Sequence, residues 1–181
     1  MGPDADGDKL ITVSAPEYSI RRTVESDWRE VRDLRLEMLR DTPIGYGETL
    51  DNAHGKGEAE WRVRAKRGTA EHGIALVAID SSGRWVGTMG GFVPEHETTP
   101  ILVGVYVAPR CRGRQAGVTD ALLDSIEEWA RTESNLLMLH VHEDNARARN
   151  AYERRGFVQT GHIEPYSLDV SKNELEMIKR L

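Results

Sequence analysis

The sequence of 181 residues predicts a mixed α/β (α+β) domain, with a mostly antiparallel central sheet and helices on both faces. Short apolar runs of strand length alternate with segments whose apolar residues recur at helical spacing. The predicted order of elements is β-α-α-β-β-β-α-β-α-β-β, which mixes consecutive strands with strand–helix–strand units. At this length one hydrophobic core is sufficient, and we expect a single domain over residues 18–181.

The N-terminal half begins with residues 1–17, which we expect to form a flexible acidic leader. Ser26 can cap the first helix, whose apolar residues from Trp28 to Met38 recur at helical spacing. The segment 41–47 contains glycine and proline and is expected to be a loop. The predicted elements of this half are a strand at 18–24, helices at 27–40 and 58–66, and strands at 74–80, 84–93 and 100–107.

The C-terminal half has clearer helix signals. Gly117 ends a loop, so a helix can start near Val118. Asn145 is a suitable N-cap for a second helix, and Gly156 is suited to end it. The predicted elements of this half are helices at 118–132 and 145–156 and strands at 136–141, 157–162 and 174–181.

Composition restricts the class of protein. Hydrophobic residues make up 39% and charged residues 30%, as in ordinary globular proteins. The formal net charge of −6 argues against binding to nucleic acid or an anionic membrane and favours cationic partners. Cys111 is the single cysteine, which excludes an internal disulfide framework and a Cys-rich metal site. No apolar run has transmembrane length and no signal peptide is evident, so we expect a cytoplasmic protein.

The loop before the Val118 helix is rich in arginine and glycine, reading VAPRCRGRQAGV from Val107. Free N–H groups at a helix start carry the positive end of the helix dipole, and glycines let an anion approach the backbone. Arginine can in addition pair with phosphate bidentately. The loop therefore suggests an anion site, although a solvated basic loop that caps a helix is the alternative. These features are carried by Arg110, Arg112, Gly113, Arg114 and Gly117.

Two further features favour a ligand site. Gly104 lies inside an apolar strand, where a glycine often marks a bulge that would separate this strand from its neighbour. Asn145 and Tyr152 are two helical turns apart, so they share one helix face with the small Ala148 between them. That face would suit an extended ligand. The alternative is that Tyr152 packs in the core with its hydroxyl at the edge.

The segments VYVAPRCRGRQAGVTDALL and LHVHEDNARARNAYERRGF resemble the core of the GNAT superfamily, the acyl-CoA-dependent N-acyltransferases. The family pattern N-x-x-A-x-x-x-Y-x-x-x-G-F is matched in full. The distinctive matches fall between about Val103 and Gly161, and the predicted element order fits from Tyr18 to the C-terminus. The matching residues of the second segment are Asn145, Ala148, Tyr152, Gly156 and Phe157.

The loop departs from the family form Q/R-x-x-G-x-G/A. Counting back from the helix places this form on residues 114–119, with Thr119 in the last position. Counting forward from Val107 places Arg112 and Gly113 in the Arg-Gly positions, with Gln115 where a glycine is expected. We prefer the first register, because helix geometry ties the phosphate-facing amides to the helix start.

The resemblance implies acetyl-CoA as acyl donor, bound without a metal. The pantetheine arm would lie beside the splayed strand and contact Asn145, and the pyrophosphate would bind the loop amides. The resemblance also makes Tyr152 the general acid that protonates the departing CoA thiolate. The cofactor-binding residues implied in this way are Val105, Tyr106, Val107, Arg112, Gly113, Arg114, Gln115, Ala116, Gly117, Val118, Thr119 and Asn145.

The general base is less clearly indicated. His140 precedes the Asn145 helix on a strand, at a position where some relatives carry a catalytic glutamate, and an ordinary imidazole pKa suits proton relay. A hydrogen-bonded structural histidine is the alternative. Carboxylates of the loop at Glu95–Glu97 and an ordered water are further candidates for the base.

These observations predict an N-acetyltransferase that transfers the acetyl group of acetyl-CoA directly to a primary amine of a small molecule. Acetylation of a protein N-terminus or lysine, and a catalytically silent acyl-CoA-binding module, are the alternatives. The net charge favours cationic acceptors. The resemblance also leaves a homodimer open, since dimers are common among relatives.

Overall fold

In the computed structural model, which describes residues 17–181, a seven-stranded sheet has the order β1-β2-β3-β4-β5-β7-β6. The predicted leader lies outside the described residues except for Glu17. The strands are β1 (Tyr18–Arg22), β2 (Gly73–Asp80), β3 (Trp85–Phe92), β4 (Ile101–Val107), β5 (Leu136–His142), β6 (Val158–Tyr166) and β7 (Asp169–Arg180). The helices are α1 (Trp28–Asp41), α2 (Leu50–His54), α3 (Glu58–Ala65), α4 (Val118–Glu133) and α5 (Ala146–Arg154).

The sheet confirms the predicted fold class. All neighbouring strands pair antiparallel except β4 and β5, which are parallel. The parallel pair is joined by the single helix α4, as expected of a strand–helix–strand unit. Within residues 17–181, none of the helices has the length and apolar character needed to cross a membrane.

Helices cover both faces of the sheet, as predicted. On one face α4 packs Leu122, Ile126 and Trp129 against β2, β3 and β5 in a continuous core. On the other face α1 and α3 bring Leu34 and Trp61 into a second cluster. The strands separate the two clusters because successive side chains point to opposite faces.

Two parts of the chain differ from the sequence prediction. Thr49 caps the short helix α2, which follows the predicted loop 41–47 and for which no element is predicted. Strand β6 extends to Tyr166 and joins β7 at Asp169, so the two strands form a longer hairpin than predicted. Strand β6 is exposed along almost its whole length and therefore lacks the apolar alternation by which strands are recognised.

A glycine at position 68 allows the turn after α3 to pack against the chain that follows β1. A Cβ atom on Gly68 would lie 2.2 Å from the carbonyl oxygen of Thr23 and 2.6 Å from its nitrogen. We therefore expect Gly68→Ala to lower the free energy of unfolding by about 1–3 kcal/mol, as overpacking typically does. Gly57→Ala is the matched control, because a Cβ there meets nothing within 4 Å. Equal urea midpoints for the two variants would contradict the expected packing effect.

Candidate active site

A bulge in β4 lies at the centre of the candidate site. Thr88 of β3 pairs with Tyr106 and Gly90 pairs with Val103, so β4 has one more residue than β3 between these pairs. Gly104 lies in this bulge with a φ of +61°, a left-handed conformation that glycine adopts without strain. The glycine in the apolar strand therefore does mark a bulge.

Next to the bulge, β4 and β5 separate. The two strands pair at one register position, Ile101 with Met138, and diverge toward their carboxyl ends. The opening, called here the β4–β5 cavity, has a volume of about 430 Å³. It is lined by both strands, by the start of α4 and by α5, with Val105, His140 and Tyr152 among the lining residues.

The β4 edge presents backbone groups to this opening. The carbonyl oxygen of Val105 accepts a hydrogen bond from the Tyr46 hydroxyl at 2.9 Å, and that of Val107 accepts one from Arg112 Nε at 2.7 Å. These carbonyls therefore face away from β3. An extended ligand in the opening would meet this edge much as a neighbouring strand would.

One predicted backbone contact is corrected by the strand geometry. Ala108 N donates to the Val86 carbonyl of β3, and hydrogen-bonded positions alternate along an antiparallel pair. The backbone of Tyr106 therefore also faces β3 rather than the opening. All three residues line the cavity, and backbone contacts to a ligand remain predicted for Val105 and Val107.

The loop before α4 brings part of the predicted anion site to the cavity. Helix α4 begins at Val118 as predicted, after Gly117 with a φ of +68°, and Gly113 has a φ of +98°. The Val118 side chain packs in the core. The predicted loop residues that line the cavity are Arg112, Gly113, Arg114 and Thr119. The others, Gln115, Ala116, Gly117 and Val118, do not line it, and their backbone contacts to the pyrophosphate remain predictions.

The two predicted phosphate-binding arginines have different surroundings. Arg112 is tied down by an ion pair with Asp41, and its guanidinium lies 5.6 Å from the centre of the Tyr106 ring. Burial opposes ionisation of Asp41, but hydrogen bonds from Arg112 and Thr42 outweigh it and hold the pKa of Asp41 below its usual value. Arg114 is exposed and forms no ion pair within residues 17–181. It is therefore the better placed of the two to bind an added phosphate.

Helix α5 places Asn145 and Tyr152 on the cavity, as their spacing predicts. Asn145 Oδ1 accepts a hydrogen bond from Ala148 N at 3.2 Å, so the side chain also caps the helix. The Tyr152 ring packs edge-on against Phe157, with ring centres 5.7 Å apart. Burial, with a further contribution from Tyr46, raises the pKa of Tyr152. A phenol in this state keeps its proton at neutral pH, as a general acid must.

A second cavity opens on the other side of the bulge. It lies beneath α1 and α3, has a volume of about 780 Å³, and is called here the α1–α3 cavity. Seven of the described residues line both cavities, and Tyr46, Gly104, His140 and Glu174 are four of them. These four residues define the junction at which molecules bound in the two cavities would meet.

His140 lies at the junction with acidic neighbours. Its Nε2 is 3.8 Å from Glu176 Oε2 on β7. Glu174, two residues earlier on β7, shares the face of Glu176 and lines both cavities. The other predicted base candidates are elsewhere, since the side chains of Glu95 and His96 are each 90% exposed and line neither cavity.

Sequence reasoning missed Tyr46 and Glu174. Tyr46 follows α1 in an irregular segment, and Glu174 is one of several polar residues on β7, so no local pattern singles them out. A strand face made of His140, His142, Glu174 and Glu176 was detectable only once β5 and β7 were known to pair. No group of three or more potential metal ligands is present in the part of the chain that the structure describes.

Comparisons with known proteins identify the family. The family model described as Acetyltransferase (GNAT) family matches residues 28–157, and the chain belongs to this family. The fold is similar to an acetyltransferase of the GNAT family from Streptococcus pneumoniae, with a TM-score of 0.77 and 20% identity over 91% of this chain and 99% of that one. A comparison with curated proteins gave no match.

Two further solved structures share the fold. The PaiA N-acetyltransferase from Thermoplasma acidophilum, solved in complex with coenzyme A, has a TM-score of 0.71 and 15% identity over 91% of this chain and 99% of that one. A ribosomal-protein-alanine N-acetyltransferase from Brucella melitensis has a TM-score of 0.68 and 23% identity over 90% of this chain and 99% of that one. At these identities the likeness concerns the fold.

Proposed function

We propose that this protein is an N-acetyltransferase that transfers the acetyl group of acetyl-CoA directly to a primary amine of a small molecule. The observation that carries the proposal is the junction of two cavities at the β4 bulge. The β4–β5 cavity has an open strand edge and a basic loop, which suit an extended anionic donor. The α1–α3 cavity supplies a separate space for the acceptor.

The chemistry assigns a role to each group at the junction. A neutral amine attacks the thioester carbonyl, a tetrahedral oxyanion forms, and its collapse releases the CoA thiolate. Tyr152 would donate its phenolic proton to that thiolate. His140, which lines the junction together with Glu174, would take the amine proton directly or through one water.

The position of Tyr46 suggests a supporting role in this site. Its hydroxyl donates to the Val105 carbonyl, and its own carbonyl accepts from the Tyr166 hydroxyl at 2.8 Å. These bonds connect the segment after α1 to β4 and to β6. Tyr46 would therefore hold the junction in shape and limit the access of water to the thioester.

The remaining expectations are parts of the same proposal. We infer that the reaction needs no metal, since attack of a neutral amine on a thioester and departure of the thiolate need only proton transfers to assist them. We also propose that the protein acts in the cytoplasm without nucleic acid or membrane as a partner. A homodimer remains an expectation that the surface of one chain does not test.

Binding and transfer can be tested separately. We expect acetyl-CoA at micromolar concentration to raise the melting temperature, whereas NADH and ATP should raise it far less. Incubation with a library of amines should then release CoA thiol. Arg114→Ala should weaken acetyl-CoA binding about tenfold, as expected when a hydrogen bond to a charged group is lost. Arg131→Ala, on the far part of α4, is the matched control.

The outcomes distinguish the candidate functions. Absence of any melting shift with acetyl-CoA in a folded sample would refute both the enzyme and the silent binding module. A shift without thiol release from amines or peptides would favour the silent module. Release with peptides only would favour a protein acetyltransferase over the small-molecule enzyme that we propose.

A further inference from the structure

The α1–α3 cavity carries an excess of positive charge at one end. Arg35 of α1, Arg64 of α3 and Arg67 of the following turn all line it. The one acidic side chain among its lining residues in the described part of the chain is Glu174, which lies at the junction. Among residues 17–181, the charged side chains of the lining are therefore three arginines and one carboxylate, which is a net positive charge.

The arginines are only partly neutralised by protein groups. Glu48 Oε2 accepts from Arg35 Nε at 2.8 Å and lies 3.2 Å from Arg64 Nη2, and its other oxygen pairs with Lys56. Three cations thus share one carboxylate. Arg67 has no ion-pair partner among residues 17–181, so it adds a further positive charge.

Burial makes this imbalance costly. The Arg35 residue is 8% exposed, and its guanidinium lies over the Tyr46 ring at 4.7 Å. Burial and then the charge of Arg35 lower the pKa of Arg64 to about 10, despite the attraction of Glu48. A bound anion would relieve the mutual repulsion of these guanidinium groups and would gain from their low hydration.

Arg35 and Arg64 share the α1–α3 cavity with the junction but line a different second space. Arg35 and Arg64 also line an outer hollow that contains Glu48 and Lys56, and they do not line the β4–β5 cavity. His140 lines the β4–β5 cavity and does not line that hollow. The arginines and His140 therefore line one space of about 780 Å³ without sharing a second one, and this volume is ample for a small molecule.

We propose, building on the proposed N-acetyltransferase function, that the acceptor is a small aminocarboxylate. Its carboxylate would bind Arg35, Arg64 and Arg67, and its amine would reach His140 and Glu174 at the junction. The local positive charge of the cavity then selects an acceptor with an anionic group, although the net charge of −6 alone favours cationic acceptors. Desolvated charge inside a cavity acts more strongly than charge spread over a solvated surface.

The test uses matched acceptors. The panel contains ω-aminocarboxylates from β-alanine to 6-aminohexanoate, together with aspartate and glutamate. Each is paired with its carboxamide and with the amine left when the carboxylate is removed, and diamines are included. We expect the best aminocarboxylate to exceed its paired amine and amide in kcat/KM by about tenfold or more, as for hydrogen bonds to a charged group.

Substitutions of Arg67, an exposed arginine that lines the cavity, test where the carboxylate of the acceptor binds. Arg67→Ala should lower kcat/KM for the aminocarboxylate about tenfold, mainly through KM, and should leave the paired amine unchanged. Arg67→Glu should shift the preference toward diamines. Arg62→Ala is the matched control, because Arg62 lies on α3 and pairs with Glu58 outside the cavity. It removes the same charge and should leave the preference intact.

A measurement of anion binding tests the arginine site without requiring catalysis. Glutarate should raise the melting temperature of the protein saturated with CoA, glutaramide should not, and Arg67→Ala should reduce the glutarate shift. The inference would be overturned if Arg62→Ala lost the preference for aminocarboxylates as Arg67→Ala does. It would also be overturned if the wild-type protein used aminocarboxylates and their paired amines equally well. Failure to bind acetyl-CoA, or failure to acetylate any amine, would refute the proposed function. If glutarate still binds in that case, the inferred anion site is retained.

Discussion

Tyr152→Phe is expected to lower kcat by at least about tenfold while apparent affinity for acetyl-CoA changes little. Tyr152 lines the β4–β5 cavity, and the substitution keeps the ring that packs against Phe157 and removes only the hydroxyl. General-acid catalysis is typically worth about 10²–10⁴-fold. We expect the lower part of that range, because a thiol has an ordinary pKa of about 8.5 and its thiolate leaves readily.

The dependence of kcat on pH provides a second test of the role of Tyr152. Burial raises the pKa of Tyr152, so the phenol is protonated throughout the range from pH about 6 to 9. The ratio of wild-type to variant kcat should therefore stay constant across this range. A ratio that grows toward high pH would instead indicate a tyrosinate acting as base. The measurement is steady-state kinetics with an acceptor identified from the amine library.

Tyr18→Phe is the matched control for this experiment. Tyr18 packs against the same core as Tyr152 but lines neither cavity. Its loss of a hydroxyl should leave kcat within about twofold of wild type, as for substitutions away from the reacting groups. If Tyr152→Phe behaves in the same way, Tyr152 is a packing residue and its assignment as general acid is wrong.

The fold was predictable because its strongest signals are local. The apolar spacing from Trp28 to Met38 indicates α1, and Gly117 and Asn145 mark the starts of α4 and α5. Gly104 is also a local signal, because a glycine inside an apolar strand often marks a bulge or a close approach of another backbone. The motif residues on α5 follow from helical spacing alone.

The acceptor side of the site was not predictable in this way. Arg35, Glu48 and Arg64 come from three different segments, and their convergence depends on how α1 and α3 pack on the sheet. The pairing of β5 with β7, which places Glu176 opposite His140 and Glu174 opposite His142, also joins residues more than thirty positions apart. Such arrangements leave no periodic signal in the sequence, because each residue locally resembles a solvated charge.

A buried carboxylate on α4 illustrates the same point. Glu127 has a side chain only 6% exposed, and its oxygens lie 2.6 Å from Lys179 Nζ, 3.3 Å from Arg155 Nη2 and 3.8 Å from Arg131 Nη2. It thereby connects α4 to β7 and to Arg155, which follows α5. In the sequence it is one of several acidic residues on an amphipathic helix.

Glu127→Gln is expected to lower the free energy of unfolding by about 1–3 kcal/mol, because it weakens the charge-assisted hydrogen bonds from Lys179 and Arg155 to a buried carboxylate. The variant keeps the size of the side chain, so packing is unchanged. Asp124→Asn is the matched control: Asp124 also pairs with Arg155, but its side chain is 66% exposed, and exposed pairs contribute about 0–1 kcal/mol. Urea unfolding of the three proteins measures the difference. Equal losses in the two variants would show that burial of Glu127 does not set the strength of this network.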